Sequence, residues 1–148
     1  MYTIERSALV PHSARQMFDL VNDVSGYPDF LPWCGGTCLI EESAERITAS
    51  ITIAFKGVHK EFTTSNRITQ GEMIEIELVD GPFSHLVGHW RFKALDESAC
   101  KISLALDFGF SNRVAGMVVG PVFKHIADSM VESFCRRASE VYGGSVIV

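Results

Sequence analysis

The stretch Ile47-Thr48-Ala49-Ser50-Ile51-Thr52-Ile53-Ala54-Phe55 decides the architecture. Ile47, Ala49, Ile51, Ile53 and Phe55 share one parity, while Thr48, Ser50 and Thr52 share the other. Successive side chains of a strand point to opposite faces, so this is a half-buried strand with one apolar face. The alternation recurs toward the C-terminus. Phe62 and Ile68 share a face with Thr64 and Asn66, Ile74 and Ile76 with Leu78, and Leu86 with Gly88, Trp90 and Phe92. Ile102, Leu104, Leu106, Phe108 and Phe110 complete the set. Gly57, Gly71, the Asp80 to Pro82 turn and the Asp96 to Ser98 turn separate these runs by hairpin-length gaps, which makes the sheet antiparallel and leaves one of its faces in need of a cover.

The last segment supplies it. Val119, Phe123, Ile126, Met130, Phe134, Ala138 and Val141 follow helical spacing up to Gly143 and Gly144, a natural stop, and Asn112 can cap the start. Gly120 and Pro121 fall inside the pattern and predict one helix kinked there or two helices meeting there. On the N-terminal side, Tyr2 to Val10 reads as a short strand closed by Pro11. Ser13 reads as an N-cap, and Met17, Phe18 and Val21 mark a helix of about ten residues that Ser25 and Gly26 break. Tyr27 to Trp33, with Pro28 and Pro32, allows at most a helical turn inside a loop. The order gives an α+β helix-grip fold: a curved antiparallel sheet of about six or seven strands wrapped around a long C-terminal helix, in one domain spanning residues 1–148. Such a grip encloses a cavity.

Composition agrees with a single packed core. The chain has 148 residues, 47% of them hydrophobic and 21% charged, which excludes disordered and low-complexity classes. The longest apolar run, Val114 to Gly120, is far short of the roughly 18 residues of a spanning helix, so contact with a membrane would be peripheral. No export signal is legible, and Cys34, Cys38, Cys100 and Cys135 are expected as reduced thiols of a cytoplasmic protein. The net charge of −5 is uneven, with two basic and seven acidic residues from Met1 to Glu45, seven and eight from Arg46 to Ser111, and four and three thereafter. That argues against a general nucleic-acid binder, DNA included, and leaves room for a local basic patch.

Chemistry-bearing patterns are few. Cys34, Cys38, His85 and His89 are competent zinc ligands, but their spacing is weak and the histidines fall on the face opposite Leu86 and Trp90, so no metal is expected. No nucleophile elbow, phosphate-cradling loop or metalloprotease helix is present, and the inner face of the middle strands carries no carboxylate for general acid or base work. The reading is non-enzymatic and without a cofactor. Thr64 and Asn66, on an otherwise apolar face, must be hydrogen-bonded to neighbours or to a ligand's polar head. The turn Asp80-Gly81-Pro82-Phe83 presents Phe83 at the sheet edge. Phe30, Leu31 and Trp33, in a proline-bounded loop, read as a lid, or as a contact for a lipid interface or protein partner.

Two motifs are more specific, Asn22-Asp23-Val24-Ser25-Gly26-Tyr27-Pro28-Asp29-Phe30-Leu31-Pro32-Trp33-Cys34 and Leu78-Val79-Asp80-Gly81-Pro82-Phe83-Ser84-His85-Leu86-Val87-Gly88-His89-Trp90-Arg91-Phe92. With Ser7 to Pro11, Phe62 to Thr64, Val122 to Lys124 and Val141-Tyr142, they resemble the coenzyme Q-binding and polyketide-cyclase-like branch of the START superfamily, and within it the bacterial ribosome association toxins. The resemblance spans nearly the whole chain. It implies a helix-grip fold with a hydrophobic tunnel, quinone or lipid binding as in mitochondrial relatives, and binding to the large ribosomal subunit as in bacterial ones.

Two functions therefore stand side by side. One is a non-enzymatic carrier of ubiquinone or a similar lipid, supporting respiration. Its cavity is expected to be continuous and ring-sized, lined by Phe55, Phe62, Thr64, Asn66, Leu78, Phe83, Leu86, Trp90, Phe108, Phe123, Ile126 and Met130. The other is a ribosome association toxin that binds the large subunit, blocks subunit joining and so inhibits translation initiation. Its contact is expected from the basic residues of the last helix, Arg136 and Arg137 above all.

Overall fold

The structure, a computed structural model, describes residues 2–143; Gly144, read above as half of the helix stop, lies outside them. The elements run β1 (Tyr2–Val10), α1 (Ala14–Asn22), a 3-10 helix (Val24–Asp29), β2 (Cys34–Glu42), β3 (Arg46–Phe55), β4 (Val58–Thr69), β5 (Met73–Asp80), β6 (Phe83–Asp96), β7 (Ala99–Phe110) and α2 (Arg113–Tyr142). The strands form one seven-stranded sheet in the order β1-β7-β6-β5-β4-β3-β2. Every neighbouring pair is antiparallel. The expected α+β grip is the architecture found.

Local signals account for the element ends. The Ser13 hydroxyl accepts from the Gln16 amide at 3.0 Å while the Gln16 side chain accepts from the Ser13 amide at 2.9 Å. This reciprocal box satisfies two otherwise unpaired donors at the start of α1. The Asn112 side chain accepts from the Ala115 amide at 2.8 Å, and Gly143, at φ 79°, ends α2 where a residue with a Cβ would be strained.

Three details depart from the sequence reading. First, α2 continues unbroken through Pro121 rather than dividing. Second, Cys34–Glu42 is an edge strand that the alternation did not reveal. Its Gly35-Gly36 pair and two irregularities in its pairing with β3, at Cys34/Gly36 and Leu39/Glu41, blur the period of two, and Leu39 to Glu42 are exposed on both parities. Third, α2 contains a stretch apolar and long enough, by composition alone, to cross a bilayer. Only part of its apolar surface lies in the core, since Val114, Met117 and Val118 near its start are exposed. Val119, Phe123, Ile126, Val131, Phe134 and Ala138 are buried between the helix and the sheet, whereas Val141 is exposed.

Candidate functional site

Between the inner sheet face and α2 lies a cavity of about 80 Å³. The sheet supplies Phe62, Thr64, Asn66, Leu86 and Trp90, the helix supplies Phe123, Ile126 and Met130, and Trp33 enters from the segment before β2. Those are nine of the residues singled out from the sequence. The others lie elsewhere. Phe83 and Phe108 meet the Phe123 ring at 4.8 Å each and form, with Phe62 and Phe110, an aromatic cluster. Phe55 is half-buried and stacks on His125 with centroids 5.8 Å apart, and Leu78 is half-buried on β5. The space is smaller than expected. An engineered cavity of about 150 Å³ accepts benzene, so this one, in the conformation seen, is too small for a quinone ring. The inner face put large rings, Phe62, Trp90 and Phe123, where the sequence reading left open space.

Residues that sequence reasoning did not select also line the cavity: Val21 from α1, Val24 and Tyr27 from the 3-10 helix, and Ala49, Ile51, Ile74, Ile76, Leu104 and Leu106 from the sheet. The alternation identified the sheet residues as apolar-face residues, but a lining side chain and a packed one have the same parity. Val24 and Tyr27 sit in a segment whose inward turn depends on hydrogen bonds, notably the Tyr27 hydroxyl donating to the Val21 carbonyl at 2.5 Å. Burial, with the charges of Cys34 and Asp23 nearby, holds that phenol far above its ordinary range.

The same segment speaks against the exposed-contact alternative for Leu31 and Trp33, which are buried. The Leu31 amide donates to the Tyr27 carbonyl at 2.9 Å and the Cys34 amide to the Leu31 carbonyl at 3.0 Å. This winds the loop inward and buries Leu31 and Trp33 at 1% and 4% exposure. Phe30, half-buried, packs edge-on against Phe134 at 5.3 Å. The loop is a wall of the core and presents no apolar finger to solvent.

Polar groups inside are sparse and pointed. Among the described residues no carboxylate, imidazole, amine or guanidinium lines the cavity, so none of those lining it can exchange a proton near neutral pH. Yet the Trp33 Nε1–H donor and the Asn66 Oδ1 acceptor are buried without partners. An unpaired buried donor and acceptor each cost about 1–3 kcal/mol, which water or a ligand with both capacities would offset. The thiols are not near such chemistry. Burial pushes Cys34 and Cys135 up and Cys100 to about 11. Cys34 and Cys38 on β2 lie four strand spacings from His85 and His89 on β6, about 19 Å, too far for one metal ion. Among the described residues no three histidine, cysteine, aspartate or glutamate side chains converge.

Of the basic residues expected to face a ribosome, Arg136 pairs with Glu132 at 3.1 Å and Arg137 with Glu140 at 3.3 Å. The Arg137 guanidinium also covers the Phe30 ring at 5.1 Å. Arg6 and Lys124 both engage Asp128, and Arg15 engages Asp19. The cations with no carboxylate in ion-pair distance among the described residues stand elsewhere, chiefly on the outer sheet face.

A seven-stranded antiparallel sheet gripping a C-terminal helix around a small, apolar, uncharged pocket defines a START-type helix-grip domain. The Zhui aromatase/cyclase from Streptomyces sp. R1128 shares this fold, with a TM-score of 0.84 over 97% of this chain and 99% of that one, at 18% identity. The chain belongs to the polyketide cyclase/dehydrase and lipid transport family, whose pattern it matches over residues 10–135, and within it to the ribosome association toxins. The ribosome association toxin RatA of Vibrio cholerae is 49% identical over 97% of this chain and 99% of its own length. A mitochondrial coenzyme Q-binding protein homologue from Xenopus laevis is 24% identical over 93% of this chain and 58% of its own.

Proposed function

We propose that the protein is a non-enzymatic, cytoplasmic ribosome association factor that binds the large ribosomal subunit and limits joining of the subunits. The observation that carries this reading is the near-complete match, at 49% identity, to a relative named for ribosome association. The uncharged cavity supports the non-enzymatic part, since cyclase chemistry needs an acid or base inside. The test is sedimentation of purified protein with large subunits, followed by subunit joining in its presence. Co-sedimentation with a dose-dependent fall in joined ribosomes is expected. Folded protein that stays in the supernatant even at low salt refutes the reading.

One observation favours a second activity on the same domain, binding of a quinone-like or lipid molecule in support of respiration. Trp33 Nε1 and Asn66 Oδ1 offer an unpaired donor and acceptor within apolar walls, the arrangement that orients a small amphipathic ligand. At about 80 Å³ the cavity must widen to take a ring. Organic extraction and mass spectrometry of the purified protein test this; a retained quinone or lipid in stoichiometric amount is expected, and its consistent absence refutes it.

A further inference from the structure

The outer face of the sheet carries cations in an arrangement that folding alone does not favour. Arg46 on β3 stands directly across from Arg67 on β4, and Lys93 on β6 directly across from Lys101 on β7. Arg91 lies two residues before Lys93, on the same face. Their inward neighbours Ile47, Ile68, Trp90, Phe92 and Ile102 are buried, while Arg67, Arg91, Lys93 and Lys101 are exposed and Arg46 is half-buried. Like charges directly opposite on neighbouring strands repel. Carboxylates were available to relieve this, since the chain has 18 acidic and 13 basic residues. Instead, among the described residues, none of these five cations has a carboxylate within ion-pair distance, and even Glu75, in register with Arg67, makes no pair with it. By contrast both arginines near the end of α2 are paired.

We infer that this outer face, with Arg46, Arg67, Arg91, Lys93 and Lys101 spanning the strands from β3 to β7, is the surface that docks on the phosphate backbone of ribosomal RNA. The inference rests on the ribosomal reading above and names its partner chemistry and its face. Four strand spacings, about 19 Å, separate Arg46 from Lys101, enough to reach several phosphates. Polyanion binding turns each unpaired cation from a local cost into a contact that releases counterions. Ser65 and Ser103 stand among them, while Glu75 and Glu77 of the intervening β5 share the face, so the phosphates follow the cation groups on β3–β4 and on β6–β7 rather than β5 itself.

Sedimentation with purified large subunits at two or more salt concentrations tests it, using wild-type protein, K93E/K101E, R136E/R137E and the single variant K93E. The sheet double variant is expected to lose at least tenfold in affinity and to flatten the salt dependence by about two units of slope. The α2 double variant should stay within about threefold of wild type. K93E should bind more weakly and yet melt about 1–3 °C higher, because it converts a repelling cross-strand pair into an attracting one. A contact that served only the fold would not move these two readouts in opposite directions. Deproteinised RNA from the large subunit should retain the wild-type protein with the same sensitivity to K93E/K101E. A folded K93E/K101E that binds as tightly as wild type, a loss confined to R136E/R137E, or binding to subunits with none to the RNA each overturn the inference while leaving the ribosomal reading standing. Wild-type protein that never sediments with subunits overturns both.

Discussion

The Phe30 ring meets the Phe134 ring edge-on at 5.3 Å and carries the Arg137 guanidinium over its face at 5.1 Å. Phe134 is fully buried and also meets Tyr27 and Trp90 at 5.4 Å each. It therefore joins α2 to the segment before β2 and to the sheet in one contact set. Phe134→Ala removes that junction and leaves a cavity, and is expected to cost about 3–5 kcal/mol. Denaturant unfolding measures this; a loss under about 1 kcal/mol would show that the segment is held by other contacts.

Among the described residues the cavity has no carboxylate to receive a cation. Leu86→Lys buries an ammonium there, at a site 2% exposed, and should destabilise the fold by about 3–5 kcal/mol unless the amine is neutral. Glu75→Gln, on the outer face of β5 between the cavity-lining Ile74 and Ile76, should change stability by less than about 0.5 kcal/mol. Comparable losses from both would mean that the two faces of β5 and β6 are wrongly assigned.

That assignment was readable from sequence because a period of two is strict where one face is buried. Ile47, Trp90, Phe92 and Ile102 keep it along their strands, and α2 keeps its 3.6-residue period through Phe134 and Ala138. What failed to show was whatever depends on volume or on non-periodic contacts. Phe108 shares parity with Leu86, and the pairing irregularity between Phe83 and His85 shifts the period ahead of Leu86, yet Phe83 and Phe108 pack into an aromatic cluster, since parity fixes direction and not the space at the end of the side chain. Leu31 and Trp33 looked exposed because their burial follows from amide bonds within a loop. β2 escaped because glycines and irregular pairing break the period. The unpaired outer-face cations were invisible as a group until the register set Arg46 against Arg67 and Lys93 against Lys101.

His12 gives a pH prediction. Its ring is 4% exposed, its Nε2 has no partner, and burial holds the imidazole below its ordinary value of 6.5. With the folded pKa depressed, the unfolded chain binds the proton first as pH falls. The contribution of His12 is thus complete above about pH 6.5 and declines as pH drops from there through the folded pKa. Unfolding free energies between pH 7.5 and 5 should decline, and His12→Asn should flatten the slope across that window. Identical slopes in the two proteins would place the acid sensitivity in other groups.

Gly88, inside the second sequence motif, shares a strand face with Leu86 and Trp90, and its place there is steric. A Cβ built on it would come within 2.1 Å of the Ala105 carbonyl oxygen and 2.7 Å of Leu106 Cδ2. The first obstacle is backbone of the paired strand, where Gly88 stands opposite Leu106, so it cannot swing aside as a side chain would. β6 and β7 must separate or twist locally to admit a methyl group. The strain falls beside Leu86 and Leu106, two residues of the cavity wall. Gly88→Ala is expected to cost about 3 kcal/mol or more. It should also speed amide hydrogen exchange along β6 and β7, leaving β2 and β3, at the far side of the sheet, near their wild-type rates. Gly109→Ala is the comparison: there the added Cβ meets the His85 ring at 2.8 Å and the Ser84 hydroxyl at 3.0 Å, both of which are side chains that can rotate away. A smaller loss at Gly109 than at Gly88 is the expected order, and the reverse order would show that the β6–β7 backbone yields more readily than its side chains.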